Sequence, residues 1–252
     1  MLLDVLISES PLTFERYMEL SLYHPEYGYY ALGNLPGKKG DYVTSPCIHK
    51  MFGAVLARQI IQMYEISKNK ENFLIVEAGA GQGYLAKDIL EYSEKRGYKF
   101  NYLIIEPFLS IRKIQERNLS KFKENINWVE SLEKLPDFKG IFLSNELFDS
   151  FPVKLIQKNG DKIYEVWVEI KNGEKISEVL KELTDERVYK IIEPYCFSWK
   201  EGYRTEVCLK IEEFYKVLSE KMKEGFVITI DYGYPRQDYY SCLLYTSDAA
   251  DE

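Results

Sequence analysis

The chain has 252 residues, with 33 lysines and arginines against 40 aspartates and glutamates, and its formal net charge is −7. With 46% hydrophobic and 15% aromatic residues, the composition is that of a globular protein large enough to bury a core in one or two domains. The acidic balance argues against nucleic-acid binding, and the lack of ~20 consecutive apolar residues or a basic signal segment argues against membrane insertion and secretion.

Residues 1–70 predict an N-terminal helical cap. Hydroxyl side chains and a proline at 10–13 mark a helix start, and apolar residues follow at helical spacing. The tyrosine-rich segment 22–30 ends this helix, and such clusters more often pack in a core than recognise a ligand. A loop rich in glycine and proline then leads to a second amphipathic helix that begins near Phe52.

Residues 71–241 predict an α/β domain, because apolar strands alternate with amphipathic helices. The predicted strands are 73–76, 102–107, 126–130, 140–146 and 226–234. This order is typical of a parallel sheet with helices on both faces, the doubly wound Rossmann-like architecture.

Residues 152–203 predict a β-meander and helix inserted into that domain. Two Asn-Gly pairs, at 159–160 and 172–173, separate runs in which apolar and polar residues alternate, which is the pattern of β-hairpins. A long helix is predicted at 207–222, with Gly225 as its C-terminal stop.

A glycine-rich turn, Glu77-x-Gly79-x-Gly81-x-Gly83, follows the first predicted strand and precedes a helix. Such turns let a ligand lie against bare backbone. A dinucleotide-binding turn has its third glycine one residue later, where this chain has Tyr84, and Glu77 would repel a pyrophosphate. A ligand with an ammonium group suits Glu77 better. The turn therefore favours S-adenosylmethionine (SAM), with NAD and a ligand-free turn as alternatives.

Glu106 ends the second predicted strand, where doubly wound folds place an acid that accepts hydrogen bonds from both ribose hydroxyls. A solvated strand-end acid is the other interpretation of this residue. The segment 127–131 follows the third strand and is expected near an adenine, which Trp128 or Leu132 would cover. A core role for Trp128 is equally compatible with the sequence.

The fourth predicted strand runs into Asn145, Glu146 and Asp149, at the carboxyl end of the sheet where open α/β folds bind ligands. These residues can cap a helix and complement its dipole. Alternatively, Glu146 and Asp149 hold a cationic acceptor nitrogen for methyl transfer, a reaction that depends mostly on positioning. The two interpretations are compatible. Asp231, at the end of the last predicted strand, is either an acid near this site or a turn former.

Histidine and cysteine usage predicts no metal site. The two histidines, His24 and His49, lie in different segments, and the four cysteines form no C-x-x-C pair. Widely spaced cysteines without an export signal are typical of a reducing compartment. Without an arginine-rich transit segment, we expect a bacterial cytoplasm, or the mitochondrial matrix for a eukaryotic source.

The chain resembles the MidA-type family of class I SAM-dependent methyltransferases, which includes a mitochondrial respiratory complex I assembly factor acting as a protein arginine methyltransferase. The matching segments are FERYMELSLYHPEYGYY, GDYVTSP, VEAGAGQGYLAKDIL, YLIIEP, SNELFDSFPV and GFVITIDYGY. The resemblance implies a seven-stranded methyltransferase sheet and a SAM site formed by the glycine turn, Glu77 and Glu106. It also implies that the loop at Thr44 and Ser45 borders the reaction centre, together with Asn145 and Glu146.

On this resemblance we expect a SAM-dependent methyltransferase that acts on an arginine of a partner protein, for which a respiratory-complex subunit is a candidate. Asn145, Glu146 and Asp149 are the expected catalytic residues. The second hypothesis is a non-catalytic assembly or chaperone module on the same fold, and the third is an NAD-dependent oxidoreductase.

The C-terminal residues 242–252 differ in composition from the rest of the chain and resemble a translated sequencing adapter. The family continues past the DYGY segment with further strands of the sheet. We therefore expect a tail that is not native and a sheet whose C-terminal strands are missing from this chain.

Overall fold

The computed structural model of the chain describes residues 1–35, 49–68, 70–171 and 175–240. The predictions for Thr44, Ser45, the Asn-Gly pair at 172–173 and the tail 242–252 lie outside these residues.

Over residues 73–145, strands and helices alternate as the sequence pattern predicts, whereas the helix Leu2–Glu9 and the strand Leu12–Thr13 were not predicted. The helices are α1 (Leu2–Glu9), α2 (Phe14–Tyr23), α3 (Met51–Ile66), α4 (Tyr84–Lys95), α5 (Leu109–Asn118), α6 (Glu186–Cys196), α7 (Lys210–Lys221) and α8 (Arg236–Tyr239). The strands are β1 (Leu12–Thr13), β2 (Phe73–Ala78), β3 (Asn101–Ile105), β4 (Ile126–Val129), β5 (Phe138–Asn145), β6 (Lys154–Asn159), β7 (Lys162–Lys171), β8 (Lys175–Glu182), β9 (Arg204–Val207) and β10 (Met222–Ile230). In the described parts of the chain, no helix is long and apolar enough to cross a membrane.

The chain divides into two compact units. The meander unit contains the described residues of Met1–His24 and Phe151–Ile211 and those from Tyr232 to Tyr240. The α/β unit contains Pro25–Ser150 and Glu212–Asp231.

The α/β unit contains a parallel sheet in the order β10-β5-β2-β3-β4. The predicted parallel α/β architecture is therefore confirmed. Ala78 at the end of β2 pairs with Ile105 on one side and with Ser144 on the other. Asn145 at the end of β5 pairs with Ile230 at the end of β10. This register brings the carboxyl ends of four strands to one edge of the sheet.

Helices cover both faces of this sheet. Successive strand residues point to opposite faces, so neighbouring residues of one strand pack against different helices. Ile75 lies in a buried cluster with residues of α3 and α4, whereas the next residue, Val76, lies in a second buried cluster with Leu218 of α7. Both strand residues are fully buried. The unit is therefore doubly wound, with a hydrophobic core on each side of the sheet.

The meander unit contains the antiparallel strands β6, β7 and β8, with β1 against β7 and β9 against β6. Asn159 pairs with Lys162, so that Gly160 and Asp161 form a two-residue hairpin turn. Gly160 has a φ of 61°, a conformation that favours glycine. The hairpin predicted at this Asn-Gly pair is confirmed.

The N-terminal segment is shared between the two units, a division that differs from the predicted boundary at residue 70. Leu12 of β1 pairs with Val168 of β7, and Leu6 and Leu20 are buried in the same cluster. Ile60 of α3, in contrast, lies in the core of the α/β unit. The boundary depends on which distant strand each segment packs against.

The helix predicted at 207–222 is shorter in the structure. Val207 belongs to β9 and Met222 begins β10, so that Gly225 lies inside a strand and does not stop a helix. A Cβ atom on Gly225 would collide with the carbonyl oxygen of Gly140, with which it pairs in β5. Close approach of the two backbones explains this glycine.

Candidate functional site

The glycine turn connects β2 to α4 and carries three residues in the left-handed region. The φ angles are 71° at Gly79, 53° at Gly81 and 80° at Gly83, conformations that a side chain would strain. A Cβ on Gly81 would meet nothing within 4 Å, whereas one on Gly79 would lie 2.9 Å from the Leu147 side chain. The turn therefore offers bare backbone and open space at Gly81, and packs closely against the segment after β5.

Glu106 follows β3 and is only 7% exposed. Its Oε1 accepts a hydrogen bond from the Phe108 backbone N–H (3.0 Å), and its Oε2 accepts one from the Gln115 side chain (2.9 Å). Burial raises the pKa of Glu106 to about 7, although both hydrogen bonds favour the charged form. Each carboxylate oxygen has a second lone pair, so Glu106 can accept two further hydrogen bonds from a neighbouring pair of hydroxyls.

Glu77 is 1% exposed and lies in β2 directly before the turn. Its Oε2 accepts a hydrogen bond of 2.7 Å from the hydroxyl of Tyr102 on the neighbouring strand β3. Burial raises the pKa of Glu77 to about 7. Burial and the neighbouring Glu77 also hold the pKa of Tyr102 well above its ordinary value, so the phenol stays protonated and remains a donor. Sequence reasoning did not find Tyr102, which is one of many tyrosines in the chain.

Because the pKa values of the buried Glu77 and Glu106 are raised, we expect the free energy of unfolding to depend on pH. Each folded-state pKa of about 7 lies above the ordinary value of 4.5, so the native state holds protons that the unfolded state releases. This contribution is complete below about pH 4.5 and is lost as the pH rises through about 7. We expect urea titrations of the ligand-free chain to show a smaller decline of unfolding free energy between pH 5 and 7 in Glu106→Gln than in the wild type. An equal decline in both would contradict the assigned pKa of Glu106.

The end of β5 contains unsatisfied polar atoms, and the residue that follows the strand is strained. Ser144 Oγ and Asn145 Oδ1 are buried without a hydrogen-bond partner among the described residues. Glu146 has a φ of 49°, unusual for a residue other than glycine, and its backbone N–H donates to Ile230 O (2.8 Å) in β10. Strain and unsatisfied groups of this kind concentrate at functional sites, where a ligand or a mechanism explains them.

Three carboxylates, those of Glu146, Asp149 and Asp231, gather beside this segment. Burial raises the pKa of Asp149, and the negative charges of Asp231 and Glu146 raise it further. Asp231 Oδ2 accepts a hydrogen bond of 2.9 Å from the Phe148 backbone N–H, at the start of a short 3-10 helix. Asp231 therefore holds the turn that follows β5 and adds negative charge beside Asp149. A cation bound here would relieve the mutual repulsion.

The strand register places the glycine turn and the acidic residues next to one another at the carboxyl ends of the parallel strands. The glycine turn follows β2, Glu106 lies on the β3 side, and Asn145 with Glu146 lies on the β5 side. The predicted site residues that the structure describes thus lie at or beside the ends of neighbouring strands, whereas Thr44 and Ser45 lie outside the described residues. Gln115, which is fully buried between Glu106 and the turn, was not predicted.

Curated relatives of the chain are named as arginine methyltransferases. "Protein arginine methyltransferase NDUFAF7, mitochondrial" of Homo sapiens is 29% identical over 188 residues, which cover 65% of this chain and 43% of the relative. The protein of the same name from Danio rerio is 26% identical, and the match covers 91% of this chain and 60% of the relative. The chain therefore spans about half the length of these relatives.

A solved structure shares the fold of the chain. It is a crystal structure of a methyl transferase candidate from Burkholderia thailandensis bound to S-adenosyl-homocysteine (SAH), with a TM-score of 0.84 and 26% identity. The match covers 95% of this chain and 64% of that chain. A family profile described as "Putative S-adenosyl-L-methionine-dependent methyltransferase" matches residues 55–248. The chain thus belongs to this family of SAM-dependent methyltransferases.

Proposed function

We propose that the α/β unit binds SAM and transfers its methyl group to an arginine side chain of a partner protein. The observation that carries this proposal is the buried Glu106. It keeps one lone pair on each oxygen available and lies one strand away from the open glycine turn.

The residues of the site fit SAM. Glu106 accepts the two ribose hydroxyls, and the bare backbone at Gly81 lets the ligand lie close to the turn. Glu77 places a titratable carboxyl in β2 directly before the turn, and we assign to it the ammonium group of SAM. When bound, SAM supplies a methyl group that is activated by a sulfonium.

The polar residues at and after the end of β5 can bind the cationic side chain of a methyl acceptor. A guanidinium can pair with the Glu146 carboxylate through two parallel hydrogen bonds, and Asp149 adds a second negative charge. The unsatisfied Asn145 Oδ1 offers a further acceptor for an N–H group. In an in-line displacement most of the rate gain comes from orienting the nucleophile, and this is the role that we assign to these three residues.

The names of the relatives support arginine as the acceptor. We propose a protein substrate, with a respiratory-complex subunit as the first candidate to test. The relatives are named as mitochondrial proteins, and we propose the mitochondrial matrix for a eukaryotic source and the cytoplasm for a bacterial one.

The experiment that tests this function uses SAM with a labelled methyl group. The chain is incubated with labelled SAM and protein extract from its source, and hydrolysed protein is analysed for labelled methylarginines. We expect label in methylarginine that depends on the chain. Label in another amino acid would contradict the acceptor, and SAM binding without any transfer would favour the assembly-module hypothesis.

A further inference from the structure

We propose that Gln115 is a positioning residue for the cofactor, because its side-chain amide joins the carboxylate of Glu106, the glycine turn and Trp128. This inference rests on the proposed function, since it assigns to Gln115 the orientation of the acid that accepts the ribose hydroxyls.

The Gln115 amide makes three hydrogen bonds in a fully buried position on α5. Its Nε2 donates to Gly81 O (2.9 Å) and to Glu106 Oε2 (2.9 Å). Its Oε1 accepts from Trp128 Nε1 (2.8 Å). An indole N–H can only donate and a carbonyl oxygen can only accept, so these partners allow one orientation of the amide. The N–H groups of Gln115 must therefore face Glu106.

This orientation fixes the carboxylate of Glu106. Oε2 is held by Gln115 and Oε1 by the Phe108 backbone N–H, so the group cannot rotate without breaking a hydrogen bond. A fixed carboxylate presents its remaining lone pairs in one geometry, which lowers the entropic cost of binding two hydroxyls.

The same face of α5 also holds the glycine turn at a second point. Asn118, three residues after Gln115, donates from Nδ2 to Gln82 O (2.8 Å). Residues three apart lie on one face of a helix. The Leu119 side chain fills the space beside Gly83, where a Cβ would lie 3.0 Å from Leu119 Cδ1. Two amides of one helix thus hold two carbonyl oxygens of the turn.

A packing role alone does not explain a glutamine at this position. A buried amide costs free energy unless its hydrogen bonds are made, whereas a leucine or methionine of similar size would fill the space without that cost. The amide contributes what an apolar side chain lacks, which is a directed donor to Glu106 and to Gly81.

The test compares Gln115→Met with the wild-type chain by calorimetric titration of SAH. We expect the Kd of SAH to rise about tenfold, since one hydrogen bond to a charged group is lost. Lys113→Met, at an exposed position of the same helix, is the matched control and should leave the Kd unchanged. In a Glu106→Ala background, Gln115→Met should change the Kd less than about twofold, because a residue that acts through Glu106 has no effect without it.

The pH profile of binding is the second readout. The Gln115 N–H favours the charged form of Glu106, so its removal raises the pKa of that carboxyl. In the described chain no lysine or arginine forms an ion pair with Glu106, and the charged residues Arg112 and Glu116 on α5 pair with each other. In Gln115→Met the decline of SAH affinity on acidification should therefore begin at a higher pH than in the wild type. A structural role of Gln115 would leave this midpoint unchanged.

The outcomes separate the two proposals. Wild-type chain that does not bind SAH would contradict the proposed function itself. Wild-type binding with an unchanged Kd in Gln115→Met, or an equal loss in the Glu106→Ala background, would overturn the positioning role alone. If Gln115→Met does not fold, Gln115→Glu takes its place. That variant keeps an oxygen for Trp128 but sets a second carboxyl against Glu106, so its SAH affinity should fall with rising pH, opposite to the wild type.

Discussion

Replacing Glu106 by alanine should weaken the binding of SAM and SAH by about a hundredfold. The reason is that two hydroxyl groups lose a charged acceptor, and each such hydrogen bond contributes roughly 1.5 kcal/mol or more. The side chain of Glu106 is almost entirely buried, so solvent cannot replace it without reorganising the Gln115 and Phe108 donors. The measurement is a calorimetric titration of SAH into the variant.

The control for Glu106→Ala is Glu124→Ala, which removes an acid from an exposed position of the same unit. This control should bind SAH like the wild type. A melting curve at pH 8 separates lost binding from lost folding. A Glu106→Ala chain that still melts cooperatively is folded, so its loss of SAH binding can then be assigned to the site. A folded Glu106→Ala variant with wild-type affinity would contradict the ribose-binding role.

Replacing Glu146 by glutamine should leave SAH binding unchanged and lower methyl transfer by roughly 10²-fold or more, the scale of a lost preorganised electrostatic contact. Glutamine has the same length as glutamate but lacks the charge, so the bidentate ion pair that we propose with an acceptor guanidinium would be lost while the backbone at this strained position is preserved. Initial rates with labelled SAM and a protein that the labelling experiment identifies as an acceptor measure the effect.

The comparison for Glu146→Gln is Asp149→Asn. Asp149 adds negative charge to the proposed site but does not have the strained backbone of Glu146. We therefore expect Asp149→Asn to lose less activity than Glu146→Gln. Wild-type turnover in Glu146→Gln would contradict the assigned catalytic role, and a large loss of SAH affinity would place Glu146 in the cofactor site instead.

The sequence predicted the parts of the fold that depend on local patterns. Apolar runs of strand length, the glycine turn and the Asn-Gly hairpin each have a signature within a few residues, and the structure has strands or turns at these places. Glu106 and Glu146 could be proposed because chain order and strand ends determine which residues reach the carboxyl edge of a parallel sheet.

The parts that were not predicted depend on distant segments. The assignment of Leu12 to the meander unit requires its pairing with Val168, far along the chain. The sequence pattern predicts Gly225 as the end of a helix. In the structure it lies in a strand and allows the backbone to approach Gly140 on the neighbouring strand. In the sequence, Gln115 is an ordinary polar residue of a predicted helix. Its hydrogen-bond partners come from the glycine turn and from β4, which are distant in the chain, so its role was not predicted.

We propose that the edge formed by the glycine turn and Glu106 binds SAM, and a calorimetric titration of the chain with SAM and, in parallel, with NAD tests this directly. Circular dichroism first establishes that the chain is folded. We expect micromolar binding of SAM and no heat of binding with NAD. Saturating SAM should also raise the melting temperature of the chain. Binding of NAD, or no binding of either ligand by a folded chain, would contradict the claim.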